Sequence, residues 1–312
     1  MASETEGSAQ TLSLHGRCPP PRVPMPQRGV FIGFCWSGAE GAGNQILAAE
    51  IECAPERVKL AKVWRPFQDA PGRKDVRERF AAWMADEARW AEGRLTLGVD
   101  FPLSLAETHL RQLGLLRQSL RGPVALGKAL EERFLPAGAD FTEAADAFRA
   151  SLGRDRSRLA DCYRATAQPP TGPRVYRKTL FGLATLATLE ATFPPWDPPQ
   201  PGKPVIVEVH PPHVARVLCG NCGYRDDSRD GLDRSSARAA ILRTLRSAAK
   251  LEFEMEQAAQ VVEDAEGETL DAVLAAVAAA AASEAGFHGV PANVPRSEGW
   301  IYSVREEPWR DA

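Results

Sequence analysis

Six cysteines in 312 residues, at Cys18, Cys35, Cys53, Cys162, Cys219 and Cys222, are too few and too scattered to lay out a disulfide framework. Residues 1–28 contain no apolar core segment, so no secretory signal is expected, and the thiols read as free in a reducing cytoplasm. The alanine-rich run 272–282 is shorter than the ~20 residues a membrane-spanning helix needs, and no membrane association is expected. An excess of one sign of charge is also lacking, with 38 basic against 41 acidic residues. A net charge of −3 does not advertise a polyanion binder, although a local basic patch can act against a neutral whole. The densest basic stretch, Arg154, Arg156, Arg158, Arg164, Arg174, Arg177 and Lys178, reads as a solvated surface. No internal repeat and no internal linker is evident.

What is present is an ordinary globular balance, with 44% hydrophobic and 25% charged residues. The polar, proline-rich residues 1–28 read as a disordered tail, and 29–312 as a single α/β domain. Gly29 to Trp36, Asn44 to Cys53 and Val58 to Trp64 read as three strands joined by short turns, hence an antiparallel meander. Apolar positions at helical spacing predict a helix over 70–91. A fourth strand, Leu95 to Phe101, follows a helix and should run parallel to the first. Residues 103–170 read as a largely helical insertion. Then come a helix at 176–191, a proline-rich loop, the buried strand Val205 to Val209, and helices near 211–218, 233–249, 253–263 and 266–285.

Acids inside apolar elements point to a site. Asp100 ends one strand and Glu208 interrupts another, and burial of an unpaired carboxylate costs several kcal/mol. Asp264, Glu268 and Asp271 share one helical face if the last helix extends back past Gly267; Glu268 and Asp271 are neighbours in either case. Structural alternatives exist for each. Asp100 could pair with an arginine, Glu208 could form a buried salt bridge, and the last two could favour a helix N-terminus. Three separate elements each supplying an acid suggest a common centre. Carboxylates around divalent ions, Mg²⁺ or Mn²⁺, are the requirement of two-metal phosphodiester hydrolysis.

These residues resemble the domain-of-unknown-function family 429, predicted ribonuclease-H-like nucleases. Its opening pattern, Gly-x-Asp-x-Ser-Gly-Ala and a glycine-rich turn, corresponds to Gly33-Phe-Cys-Trp-Ser-Gly-Ala39 and Gly41-Ala-Gly43, with Cys35 where Asp is expected. Gly98-Val-Asp-Phe-Pro102, Arg158-Leu-Ala-Asp161, Val207-Glu-Val-His-Pro211, Tyr224-Arg225, the arginine-rich helix Arg234 to Arg246, Glu268-Thr-Leu-Asp-Ala272 and Glu298-Gly-Trp-Ile-Tyr302 are similar to later family patterns. The resemblance implies a ribonuclease-H-like mixed sheet flanked by helices. It also implies a metal-dependent hydrolase of nucleic-acid phosphodiesters with Asp100, Glu208 and Asp271 as catalytic residues. Glu268 would join these three as a metal ligand, and Ser37, Arg158 and Arg177 would meet the substrate. A thiol at position 35 is a poor ligand for Mg²⁺. The competing expectation is therefore a catalytically degenerate protein that binds nucleic acid or a protein partner.

Three further features carry less. His210, His213, Cys219 and Cys222 have zinc-compatible ligand types, but His210 belongs to a strand-end motif and no second cysteine pair exists, so structural zinc is not expected. The turn Gly38 to Gly43 reads as a tight hairpin, because a strand rather than a helix should follow it. Trp300 and Tyr302 are expected to pack on the core.

Overall fold

A computed structural model of the chain describes residues 22–166, 168–227 and 231–304. The first 21 residues of the expected tail lie outside the described residues. Of the remainder, Val23 is buried in the core and its N–H donates to the Ala248 carbonyl at 3.0 Å, so residues just before the first strand are anchored.

The centre of the fold is a seven-stranded mixed sheet. β1 (Gly29–Cys35), β2 (Leu47–Ala54) and β3 (Arg57–Trp64) form the antiparallel meander. β4 (Leu95–Val99) pairs parallel to β1, and β5 (Val205–Val209) parallel to β4. Two-residue strands extend the edges: β6 (Leu251–Glu252) beside β3 and β7 (Ile301–Tyr302) beside β5. The order across the sheet is β6-β3-β2-β1-β4-β5-β7. Neither edge strand is long enough to leave a periodic pattern in the sequence.

Helices cover both faces. α1 (Ala42–Gln45) is a single turn where the sequence predicts strand. α2 (Arg73–Trp90) lies on one face. Between β4 and β5 come α3 (Glu107–Gln112), α4 (Leu116–Leu120), α5 (Pro123–Phe134), α6 (Phe141–Ala150), α7 (Leu159–Arg164) and α8 (Tyr176–Leu186). The predicted helical insertion is thus a set of short helices, and α3 to α6 share an apolar cluster with α8. α9 (Pro211–Cys219), α10 (Ser235–Ala248), α11 (Met255–Glu263) and α12 (Glu268–Glu284) follow β5. α9, α10 and α12 build the second face.

The position of α12 decides the geometry of the site. Gly33 of β1 and Gly98 of β4 are register partners, and both face α12. A Cβ on Gly33 would lie 2.1 Å from the Ala272 carbonyl, and one on Gly98 would lie 2.4 Å from that of Ala275. Two glycines side by side make a flat groove, and alanines on the helix let its backbone settle into it. The run 272–282 is therefore the buried core of α12. Every one of its residues is buried, so no polar stripe is needed.

Two aspects of the fold differ from expectation. Gly267, with φ +75°, caps α12, so the helix does not extend back to Asp264. Asp264 instead accepts from the Thr269 N–H at 2.7 Å, and only Glu268 and Asp271 lie on the helix. Arg158 and Arg164, read as part of a solvated basic surface, are each only 1% exposed. Arg164 donates from Nε to the Ile301 carbonyl at 2.8 Å and stacks on Trp300, which is buried together with Tyr302. Among the described residues, no helix is long and apolar enough to cross a membrane.

Candidate functional site

Side chains alternate between the two faces of a strand. Gly33 faces α12, so Cys35, two residues on, faces it too, at the last position of β1. Gly98 faces α12, and so does Asp100 just past the end of β4. α12 presents Asp271 from its first turn. The Cys35 Sγ and one carboxylate oxygen each from Asp100 and Asp271 lie within 4.8 Å of one another. Among the described residues this is the one group of three histidine, cysteine or acidic side chains whose ligand atoms converge.

The centre also contains cations. The Lys178 ammonium, from α8, is ion-paired with Asp100. Arg225 NH1 lies 3.2 Å from Asp271 Oδ2, and the Tyr224 hydroxyl donates to Oδ1 at 2.5 Å. The Arg225 contact lacks hydrogen-bond geometry, which leaves the buried Oδ2 without a hydrogen bond. Burial pushes the Asp271 carboxyl up to about 6, with Arg225 opposing. Burial also raises the Cys35 thiol well above its usual value, reinforced by the charges of Asp100 and Asp271. Glu268 is half-buried at the start of α12, and its carboxyl is raised by burial and then by Asp264. It is a neighbour of the trio rather than a member.

Glu208 is not at this centre. Its neighbours Val207 and Val209 face the α12 side, which turns Glu208 to the opposite face. There it accepts from Arg158 NH1 at 2.7 Å and from the Leu103 N–H at 2.8 Å, and a second Arg158 nitrogen also bonds it. Asp161 completes the cluster, accepting from Arg158 NH2 at 2.8 Å. The expected metal ligand and the expected phosphate-binding arginine are therefore a buried ion pair, each closing off the other. Desolvation explains why: a carboxylate in a strand buried on both faces needs a full set of donors.

The other two expected substrate contacts lie nearby. The Ser37 hydroxyl donates to Gln45 at 2.7 Å and accepts from the Ala39 N–H, closing the turn before α1. The exposed Arg177 contacts Asp146 at 3.3 Å. Gly38 fits against the backbone of Arg177 and Lys178, where a Cβ would come within 2.6 Å of the Lys178 nitrogen. That contact ties the turn to the helix carrying Lys178. No local pattern in the sequence singles out Lys178, whose partner is 78 positions away.

His210, His213, Cys219 and Cys222 do not converge as a zinc set. His213 Nδ1 instead accepts from Arg216 at 2.7 Å. A cleft of about 770 Å³ at the β6 edge, lined by Arg22, Met25, Arg57, Arg246 and Phe253 among others, contains none of the candidate residues.

The family model described as "Protein of unknown function (DUF429)" matches residues 41–296. The chain belongs to this family. The DUF429 match contains the motifs at 98–102, 158–161, 207–211 and 268–272, and so includes Asp100 and Asp271. It starts after Cys35 and stops before Glu298. No curated protein and no solved structure matches the chain.

Proposed function

We propose that this DUF429 protein is a divalent-metal-dependent hydrolase of nucleic-acid phosphodiesters on a ribonuclease-H-like scaffold. The sheet order, a three-stranded antiparallel meander followed by parallel strands, supports the scaffold reading. The observation that carries the activity is the convergence of Cys35, Asp100 and Asp271 within 4.8 Å at the ends of two adjacent parallel strands and the first turn of α12. Donors so spaced suit one ion, whose bonds run about 2.0–2.4 Å. With Glu208 turned away, Glu268 is the one further expected ligand beside the trio among the described residues, so one ion fits better than a two-metal clamp. An ion held there would polarise a phosphoryl oxygen and lower the pKa of a bound water.

The chain's own residues have distinct tasks. Asp100 and Asp271 would hold the ion, and the half-buried Glu268 would add negative charge beside them. Lys178 and Arg225 set positive charge beside the carboxylates, where it offsets that of a phosphodiester. Arg73 donates to the Gly38 carbonyl at 3.2 Å and lies close enough to Arg177 for their charges to interact, which extends the positive character along the turn. Hydrolysis of bis(p-nitrophenyl) phosphate and of single- and double-stranded oligonucleotides is the test. Wild type with a divalent ion should cleave at least one of them, and Asp271→Asn should be slower by about 100-fold or more. Equal rates in both would refute the reading.

A second reading has its own observation. Lys178 and Arg225 already neutralise the two aspartates, and Cys35 is a buried thiol. That arrangement also suits a degenerate centre that binds nucleic acid or a protein without cleaving. Under it, wild type is inactive with every ion and Cys35→Asp gains hydrolysis.

A further inference from the structure

The donor set at the centre is not the one that Mg²⁺ selects. Mg²⁺ takes hard oxygen ligands in near-octahedral geometry, and a sulfur in its shell is a poor match. Cys35 is 4% exposed, its Sγ is one of the three converging atoms, and it makes no hydrogen bond among the described residues. A neutral thiol packs here with the apolar residues beneath α12, but its sulfur also lies beside two carboxylates. A soft donor aimed at two hard ones is the composition that borderline ions accept.

We propose that Cys35, Asp100 and Asp271 form a mixed thiolate–carboxylate centre selective for zinc-class ions, Zn²⁺ or Co²⁺, over Mg²⁺. The proposal rests on the reading of the trio as a metal centre and deepens it by naming the ion class and the ligand that selects it. Binding breaks the Cys35 S–H bond and forms a sulfur–metal bond; the proton passes to solvent. Charge balance favours this state. With the thiol protonated and no ion, the carboxylates of Asp100, Asp271 and Glu268 exceed the two cations Lys178 and Arg225 by one. With a divalent ion and a thiolate, the same groups sum to zero. Lys178 bonds one oxygen of Asp100, so the second carboxylate oxygen is the one that would meet the ion. At Asp271, Oδ2 makes no hydrogen bond, and an ion bound there would take over its 3.2 Å contact with Arg225.

The experiment is a Co²⁺ titration of the metal-free full chain followed by absorption spectroscopy, with Zn²⁺, Mn²⁺ and Mg²⁺ as competitors. The expected result is a thiolate-to-cobalt charge-transfer band that Zn²⁺ abolishes and millimolar Mg²⁺ leaves intact. Cys35→Ser should lose the band and weaken Zn²⁺ binding by about 100-fold or more, at or beyond the upper end of the 10–100-fold typical of outer-shell partners. Cys35→Asp should lose the band and bind Mn²⁺ more tightly than wild type. A band that survives Cys35→Ser would come from another cysteine and would overturn the proposal. Binding without a band that Asp271→Asn nevertheless abolishes would also overturn it, while leaving the metal centre standing. Failure of every ion to bind wild type would overturn both the proposal and the metal-dependent function.

Discussion

At the scale of single residues, a carboxylate's burial does not reveal its task, and its partner does. Glu208 and Asp271 are both buried acids in apolar elements. Glu208 is fully satisfied by Arg158 and Leu103, and Asp271 retains an oxygen without a hydrogen bond. Glu208→Gln should therefore lower stability by about 3–5 kcal/mol, the cost of stripping one partner from a buried ion pair. It should leave divalent-ion affinity unchanged; chemical denaturation and calorimetry on the same variant test both halves. His213 provides a pH signature. Burial, then Arg164 and Arg216, holds its imidazole down at about 3, from 6.5 in an unfolded chain. The ring accepts from Arg216 and so must be neutral in the fold. Below pH 6.5 the unfolded state takes up a proton that the native state refuses, so stability falls as pH drops from about 6.5 toward 3. At about 1.4 kcal/mol per pH unit, wild type should lose about 2–3 kcal/mol more than His213→Gln between pH 6.5 and 4.5. Thermal unfolding over that range measures the difference.

At the scale of elements, close approach of α12 to β1 and β4 is the controlling contact. Gly98→Ala would drive a methyl against the Ala275 carbonyl, a backbone atom that cannot swing aside. A loss of about 3 kcal/mol or more is expected, at or above the usual range for overpacking, read from the shift in urea midpoint at constant slope. How much of the site is legible in the sequence follows from the same geometry. β1 and β4 each pair a glycine with a polar residue two positions on, Gly33 with Cys35 and Gly98 with Asp100, and that parity places both donors on one face. β5 is buried on both faces, so its sequence is apolar around Glu208 and hides which face the acid takes. The long strands and helices carry enough periodicity to be read, to within a few residues at their ends. α1, β6 and β7 are too short to carry any. Lys178 and the Arg158–Glu208 pair depend on contacts between distant segments, which no local pattern encodes.

At the scale of the whole molecule, one carboxylate joins the helical insertion to the sheet edge. Glu298, just before β7, accepts from the Glu107 N–H at 2.8 Å and the Leu159 N–H at 2.7 Å, capping α3 and α7 together. The Ser297 carbonyl next to it accepts from the hydroxyls of Ser104 and Ser119. Glu298→Ala would leave both helix starts short of an acceptor, at about 1 kcal/mol for each cap. It should raise hydrogen exchange in α3 and α7 well above that in β1 and β4, whose ladder it does not touch. Uniform change across the molecule would show instead that the insertion and the sheet open as one unit.

The glycine pair under α12 bears on what the centre can become. Backbone atoms of α12 rest on backbone atoms of β1 and β4, so the distance from position 35 to Asp100 and Asp271 is fixed by main chain and not by the donors. The donors furnish a socket whose dimensions they did not set. If the centre holds an ion as proposed, exchanging thiol, hydroxyl or carboxylate at position 35 would change one donor while the main chain holds the other two, so a single codon would retune which ion it prefers.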